Sequence, residues 1–268
     1  MELRAGPARA LVDLDGGRLA SLTIDGVELL VTDGERPTRW GSFPMVPWCG
    51  RLRDGRLTFD GSTTQFPLTS PPHANHGFGH VVRWEPSGDG AIQTTLGGAE
   101  GPGAAWPFGG RVVQRFDLAA DVLTVSIEVH ADEVPMPAMA GWHPWFRRDL
   151  GVGGTAELDL RGGQVYAVGD DGIPTGELLP VPPGPWDACF VGLDADPVVR
   201  WPGALDLTVS STFAALPEQH WVIFTEPEHA LCVEPQTGAP NDINRVPRVV
   251  RPGEPLMGSM ALSWLHQG

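Results

Sequence analysis

Four short segments of the sequence each place an ionisable side chain among glycine, proline and aromatic residues. They are residues 41–55 with Arg51, 73–80 with His76, 136–146 with His143, and 232–241 with Glu234. Glycine and proline restrict the backbone, while tryptophan and phenylalanine provide flat apolar walls. This composition suits a sugar pocket, in which aromatic faces stack on C–H groups and charged side chains bind hydroxyls.

Each of these residues also has a structural explanation when it is taken alone. A histidine beside proline and aromatic residues is usually a hydrogen-bonded structural residue, and most arginines are solvated or paired at the surface. Glu234 is different, because it directly follows the apolar run 230–233. Burial raises the pKa of a carboxyl group, which makes Glu234 a candidate general base.

The composition excludes several kinds of chemistry. The 268 residues carry a net charge of −15, and all 18 basic residues are arginine. Without lysine the chain cannot form a Schiff base, hold pyridoxal phosphate or build a Walker-A site. An acidic surface repels nucleic acids and anionic membranes, so neither is an expected partner. Cys49, Cys189 and Cys232 are widely separated, which predicts neither a disulfide framework nor a zinc site.

The elements that must position these residues are predicted to be strands. The 35 glycines and 27 prolines leave little room for helices. Apolar and polar residues alternate over 18–24, 56–59 and 122–129, and the first two runs end at Asp-Gly turns. Further strands are predicted over residues 156–160, 205–210, 221–224, 230–233 and 259–265. Such spacing predicts an all-β protein with antiparallel sheets packed as a sandwich.

The same pass along the chain indicates one domain over residues 1–268, without repeats or a linker. The first residues lack the apolar core of a signal peptide, and no apolar run approaches the ~18 residues of a membrane-spanning helix. We therefore expect a cytoplasmic protein. The sequence leaves open whether it is a monomer or a homodimer.

In this order, the four segments resemble the aldose 1-epimerase (galactose mutarotase) family, especially its shorter bacterial members. Residues 75–78 are similar to the family's His-Gly segment, 141–146 to Gly-x-His-Pro-Tyr-Phe, and 234–238 to Glu-Pro-Met-Thr-Gly. Residues 41–61 resemble its aromatic strand, Gly-Arg pair and Phe-Asp-Gly ending. With weaker similarity elsewhere, the resemblance extends over residues 16–265.

The resemblance implies a large antiparallel β-sandwich of the galactose mutarotase type, with the sugar in a groove on one sheet. It implies Glu234 as general base, His143 as general acid, and His76 as a second catalytic histidine near the ring oxygen. Arg51 would orient the sugar and support the base, and Asp187 would bind ring hydroxyls.

The implied chemistry opens and recloses the sugar ring. A carboxylate removes the proton of the C1 hydroxyl while an imidazolium protonates the ring oxygen, and the ring then closes on the other face of C1. The implied partner is a small-molecule sugar. No cofactor is implied, whether metal, nucleotide or electron carrier.

Three positions depart from the family pattern. Trp145 replaces a tyrosine and would enlarge the aromatic wall of the sugar-binding site. Cys49-Gly50 stands where Ala-Asn is common, and Gln236 replaces methionine. These departures concern the identity of the sugar rather than the proton carriers.

Alternative functions remain open at this point. A hexose-6-phosphate 1-epimerase would need arginines at the rim, which Arg83, Arg147 and Arg148 could supply, although the acidic composition argues against it. A sugar-binding protein of the same fold would not need to keep all the proposed proton carriers. A β-sandwich lyase or hydrolase would need paired acids or a tyrosine base, and Tyr166 is the only tyrosine.

Overall fold

A computed structural model of the protein describes residues 1–213 and 218–267. In the first half of the chain the strands are β1 (Glu2–Ala5), β2 (Ala8–Asp13), β3 (Arg18–Ile24), β4 (Val27–Glu28), β5 (Ser42–Met45), β6 (Arg51–Leu52), β7 (Arg56–Phe59), β8 (Ser62–Gln65), β9 (Ala74–Asn75), β10 (Glu85–Gly88), β11 (Ala91–Thr95), β12 (Arg111–Leu118) and β13 (Val122–His130). In the second half they are β14 (Met136–Ala138), β15 (Gly141–Arg147), β16 (Glu157–Asp159), β17 (Gly162–Val168), β18 (Pro174–Pro180), β19 (Asp187–Leu193), β20 (Val198–Trp201), β21 (Leu205–Phe213), β22 (His220–Phe224), β23 (Ala230–Gln236), β24 (Arg248–Val250) and β25 (Leu256–His266).

Helical structure is confined to short turns. Two 3₁₀ turns cover Arg53–Gly55 and Gly79–Val81, and one α-helical turn, α1, covers Asp242–Arg245. Among the described residues, no helix has the length and apolar character that crossing a bilayer requires.

The strands form two large antiparallel sheets. The eleven-stranded sheet runs β1-β2-β3-β5-β15-β23-β22-β19-β17-β18, with β4 added beside β3. The eight-stranded sheet runs β10-β11-β12-β13-β25-β21-β20-β16. The small ladders β14–β24, β6–β9 and β7–β8 lie outside these two sheets. The all-β antiparallel architecture predicted from the alternation of residues is confirmed.

Apolar side chains from both large sheets contribute to one continuous core. Strand β13 alternates buried and half-buried residues along its whole length, as the period of two in its sequence predicted. A buried hydrogen bond also crosses between the sheets: Trp142 on β15 donates its indole N–H to Oε1 of Gln114 on β12, at 3.0 Å. Gln114 in turn donates to the carbonyl of Gly17, at 2.7 Å. These bonds hold β15, which carries His143, against the opposite sheet.

The structure adds one strand that the sequence did not predict and extends another beyond its predicted end. The segment with His143 is strand β15, and β23 continues past residue 233 through Glu234 to Gln236. Pro144 and Pro235 are the reason that the sequence did not predict strands over these residues, because proline cannot donate a hydrogen bond to a neighbouring strand. The ladder between β15 and β23 pairs Gly141 and residues 145–147 but leaves residues 142–144 unpaired. The prolines are accommodated at that interruption.

Candidate active site

A cavity of about 250 Å³ opens on one face of the eleven-stranded sheet. It is bounded by the central strands β15, β23, β22 and β19 and by loops that cross their ends. All six site residues proposed from the sequence line it: Arg51, His76, His143, Trp145, Asp187 and Glu234. Residues separated by up to 183 positions in the chain, from 51 to 234, thus meet around one space.

Strand register brings Glu234 and His143 together. Gly141 pairs with Gln236, and Trp145 pairs with Cys232, so His143 on β15 stands opposite Glu234 on β23. Nε2 of His143 lies 3.2 Å from Oε1 of Glu234, and both side chains are almost fully buried. A Cβ atom at Gly141 would lie 2.6 Å from the Pro235 carbonyl oxygen, so glycine allows this close approach.

Burial controls the protonation of this pair. It raises the pKa of Glu234 well above 4.5; the charge of Asp187 raises this pKa further, and that of Arg51 lowers it. Burial also lowers the pKa of His143 to about 3. Both shifts have one cause, since the charged forms lose their hydration. The imidazolium expected from the sequence is therefore not the resting form, and the free site favours a protonated carboxyl beside a neutral imidazole.

The tautomer of His76 is set by the backbone. Gly50 donates its N–H to Nδ1 of His76 at 3.3 Å, and His76 donates its own N–H to the Gly50 carbonyl at 2.9 Å. Burial lowers the pKa of His76 well below 6.5, with further lowering from His143, His80 and Arg51. A neutral imidazole that accepts at Nδ1 carries its proton on Nε2. His76 can therefore donate a hydrogen bond from Nε2.

Gly50 also explains one departure from the family pattern. Its φ of +62° lies in the left-handed region, which glycine and asparagine adopt more readily than other residues. A Cβ atom here would lie 2.7 Å from Cγ of Pro240. Asparagine could therefore adopt the backbone conformation of residue 50. In this chain, however, Pro240 occupies the space that the asparagine side chain would need.

Arg51 and Asp187 form an ion pair in the more open part of the cavity. Their closest atoms are 3.2 Å apart, and the side chains are 38% and 39% exposed. Arg51 also donates to the Gly172 carbonyl at 3.4 Å. Because both side chains remain accessible, each keeps hydrogen-bonding capacity for a ligand.

Aromatic rings fix the His143 imidazole in place. It stacks on Phe43, with ring centroids 4.7 Å apart, and on Trp145, at 5.3 Å. Trp145 also stacks on His229 and is only 1% exposed. Trp145 therefore supports His143 and presents little surface of its own to the cavity. Phe43 was not predicted as a site residue, although it lies in the segment that carries Arg51.

Two arginines at the cavity were not identified from the sequence. Arg36 and Arg39 line its rim from the rim loop, residues 31–41, which connects β4 to β5. The Arg39 guanidinium lies 5.5 Å from the Trp145 ring centroid. The loop contains no recognisable motif, so nothing in the sequence indicated that its arginines lie at the cavity. Their position follows from the path of the loop over the sheet.

The arginines that the sequence suggested for a phosphate site lie elsewhere, and that expectation is wrong. Arg83 pairs with Asp15 at 2.8 Å. Arg148 donates to the carbonyls of Thr225 and Pro227, and neither it nor Arg147 lines the cavity. Strand β15 ends at Arg147, so these two side chains fall beyond the part of the strand that lines the cavity.

Tyr166 does not line the cavity either. Its hydroxyl lies 3.2 Å from Nε2 of His220, and burial raises its pKa to about 12. A phenol in this setting is a poor base, which removes the main support for a lyase that uses a tyrosine.

Comparisons with known proteins agree with this arrangement. A family model described as aldose 1-epimerase matches residues 2–241. A structure from Escherichia coli K12, provisionally assigned as an aldose 1-epimerase, is similar at 21% identity and a TM-score of 0.78, over 99% of this chain and 98% of that one. A galactose mutarotase-like protein from Clostridium acetobutylicum has 18% identity and a TM-score of 0.83, over 99% and 95%.

A galactose 1-epimerase from Lactobacillus acidophilus is also similar, at 16% identity and a TM-score of 0.77, over 99% of this chain and 93% of that one. At these identities the structures show a shared fold. A search of curated protein sequences finds no significant match.

Proposed function

The chain belongs to the aldose 1-epimerase family, and on that premise we propose that it is an isomerase that interconverts the α and β anomers of a free aldohexose. The observation that carries the proposal is the buried contact between Glu234 and His143 in a cavity bordered by His76. A carboxyl and an imidazole that share one proton at the wall of a cavity are the groups that ring opening requires.

The proton shared by the pair accounts for the reaction. With the proton on Glu234 both groups are neutral, which burial favours in the empty cavity. Transfer of that proton to His143 produces a carboxylate base and an imidazolium acid together. Glu234 then accepts the C1 hydroxyl proton while His143 protonates the ring oxygen, and the reverse transfers close the ring on the other face of C1. The positive charge of Arg51 favours the carboxylate form of Glu234.

The remaining lining residues suit recognition of a sugar. His76 would donate a hydrogen bond from Nε2 near the ring oxygen. Arg51 and Asp187 offer a donor and an acceptor to ring hydroxyls, and Phe224 offers an apolar surface, while Trp145 supports the His143 ring. This division of roles follows the one that the family resemblance implies.

Polarimetry of freshly dissolved α-glucose and α-galactose tests the proposal. The protein should accelerate mutarotation of at least one sugar, and Glu234→Gln should reduce that acceleration by ~10²-fold or more, the usual contribution of a positioned proton transfer. Calorimetric titration should still detect sugar binding to the variant. Glu177→Gln, an exposed glutamate on β18, is the matched control and should keep full activity.

Two results would contradict this function. A fully active Glu234→Gln protein would remove Glu234 as the base. Sugar binding without acceleration of any sugar, phosphorylated or not, would instead favour a sugar-binding protein of the same fold.

A second candidate is the same reaction on a hexose 6-phosphate. Arg36 and Arg39 favour it, because they add two positive charges at the cavity rim of a protein whose net charge is −15. Arginine binds phosphate through several donors and needs no lysine nearby. If this candidate is correct, glucose 6-phosphate is preferred to glucose, and Arg39→Gln raises KM for the phosphorylated sugar alone. Equal KM effects on both sugars would argue against a phosphate contact.

A further inference from the structure

Cys232 lies beside the proposed proton carriers but has no part in ring opening. It lies in the strand that the sequence predicted over residues 230–233, and it is 0% exposed. Its side chain lies on the same face of β23 as that of Glu234, because residues two apart on a strand point the same way. Trp145 and Phe224, which border the cavity, are its cross-strand partners.

Three donor atoms therefore meet at the buried wall of the cavity. A ring nitrogen of His143, Sγ of Cys232 and a carboxylate oxygen of Glu234 all lie within 4.8 Å of one another. Within the described parts of the chain, no other group of three or more His, Cys, Asp or Glu side chains has this geometry. The wide spacing of the cysteines gave no sign of it, because a histidine from another strand completes the cluster.

The donor set matches the preferences of zinc and its heavier relative cadmium. Zinc takes nitrogen, thiolate and carboxylate ligands in a tetrahedron, with bonds of about 2.0–2.3 Å that place ligand atoms roughly 3.3–3.8 Å apart. The nitrogen and the oxygen are already 3.2 Å apart. The sulfur, which lies within 4.8 Å of both atoms, needs to approach by up to about 1.5 Å to complete such a geometry. The cavity, which His143 and Glu234 line, leaves space for water as the fourth ligand.

Charge balance also favours a divalent cation at this place. Binding breaks the S–H bond of Cys232 and the O–H bond of the protonated Glu234, releases two protons to solvent and forms metal–thiolate and metal–carboxylate bonds, without oxidation or reduction. The thiolate and the Glu234 carboxylate together cancel the two positive charges of the ion. The buried site then contains no net charge, which a low-dielectric interior requires of a stable arrangement.

We propose that His143, Cys232 and Glu234 form a binding site for one thiophilic divalent cation, Zn²⁺ or Cd²⁺, and that its occupation inhibits the protein. The metal would bond to the histidine nitrogen and the carboxylate oxygen that carry protons in ring opening. The inhibition rests on the proposed function, whereas the binding does not.

Titration with Cd²⁺ tests the binding directly. Wild-type protein should develop the ultraviolet charge-transfer band of a cadmium–thiolate bond, saturating at one equivalent of metal. Cys232→Ala should lose the band. Cys189→Ala is the matched control and should keep it, because Cys189 is also buried and lines the cavity but is not part of the cluster. Cys232→Ser, a smaller change, serves if the alanine variant does not fold.

Mutarotation assays test the inhibition separately. Zn²⁺ should suppress the rates of the wild type and of Cys189→Ala, and a chelator should restore them. The rate of Cys232→Ala, whatever its value without metal, should not change when Zn²⁺ is added. A cadmium–thiolate band of equal intensity in Cys232→Ala, or no band in the wild type, would overturn the site. A band that saturates normally in a protein without mutarotase activity would leave the site standing and refute the proposed function instead.

Discussion

At the scale of single residues, the site depends on two groups whose charged forms burial opposes. Glu234 and His143 are 2% and 5% exposed, and the pKa of the first is raised while that of the second is lowered. The charge of Asp187 raises the pKa of Glu234 further, and that of Arg51 lowers it. Their balance should therefore set the pH above which the pair loses its shared proton.

This balance gives a prediction of opposite sign for two variants. The proposed reaction uses the proton that Glu234 and His143 share, so kcat/KM should fall as pH increases through the raised pKa of Glu234 and that proton is lost. Asp187→Asn removes a negative charge that raises this pKa, and the basic limb should move to lower pH. Arg51→Gln removes a positive charge that lowers it, and the limb should move to higher pH.

The measurement is kcat/KM for mutarotation from pH 4 upwards (about the ordinary pKa of a glutamic acid), with wild type beside both variants. Displacement of the basic limb in the same direction in both variants, or in neither, would mean that another group controls this limb. A uniform loss of rate without displacement would assign Arg51 and Asp187 to sugar binding alone.

At the scale of elements, the rim loop is held by one buried arginine. Arg18 on β3 is 2% exposed and donates to the carbonyls of Pro37, at 2.7 Å, Trp40, at 3.1 Å, and His80, at 3.3 Å. Its guanidinium also lies 4.1 Å from the centroid of the Trp40 ring. Arg18 thus joins the rim loop to the sheet that carries Glu234 and His143.

We expect Arg18→Met to lower the free energy of unfolding by roughly 1–3 kcal/mol, since it leaves the buried carbonyl of His80 without this donor. Urea unfolding measures this change. Arg83→Met is the matched control: its side chain is 55% exposed, and exposed ion pairs contribute little to stability. Equal losses in the two variants would mean that Arg18 does not anchor the loop.

At the scale of the whole molecule, we propose that residues 1–268 act as one domain. Both large sheets contribute to one apolar core, and the Trp142–Gln114 hydrogen bond crosses between them. Neither sheet can lose its partner without exposing its buried face, so the two should unfold together. Scanning calorimetry should give one transition whose calorimetric and van't Hoff enthalpies agree. Two separate transitions would show that the sheets unfold independently.

The charge distribution is also a property of the whole molecule. A chain with a net charge of −15 places three of its 18 arginines, at positions 36, 39 and 51, around one cavity. Two acidic residues, Asp187 and Glu234, lie among them. The site is therefore less negative than the average surface, so it repels an anionic ligand less than the rest of the protein does.

The sequence by itself determined the fold class and the six candidate site residues. Alternating residues and Asp-Gly turns predict antiparallel strands because the period of two is local, and β3, β7 and β13 appear where the pattern indicated. The segments around Arg51, His76, His143 and Glu234 also resemble those of the aldose 1-epimerase family. This resemblance can be recognised without knowing which residues are in contact.

Only the tertiary structure decided how these residues act on one another. Strand register places His143 in contact with Glu234 and Cys232 beside them, and the path of the rim loop places its arginines at the cavity. Both bring together residues that are far apart in the chain. The tertiary structure also determines the protonation states of Glu234 and His143. A pKa depends on how much water the surrounding fold excludes, and the sequence of neighbours along one strand does not specify that.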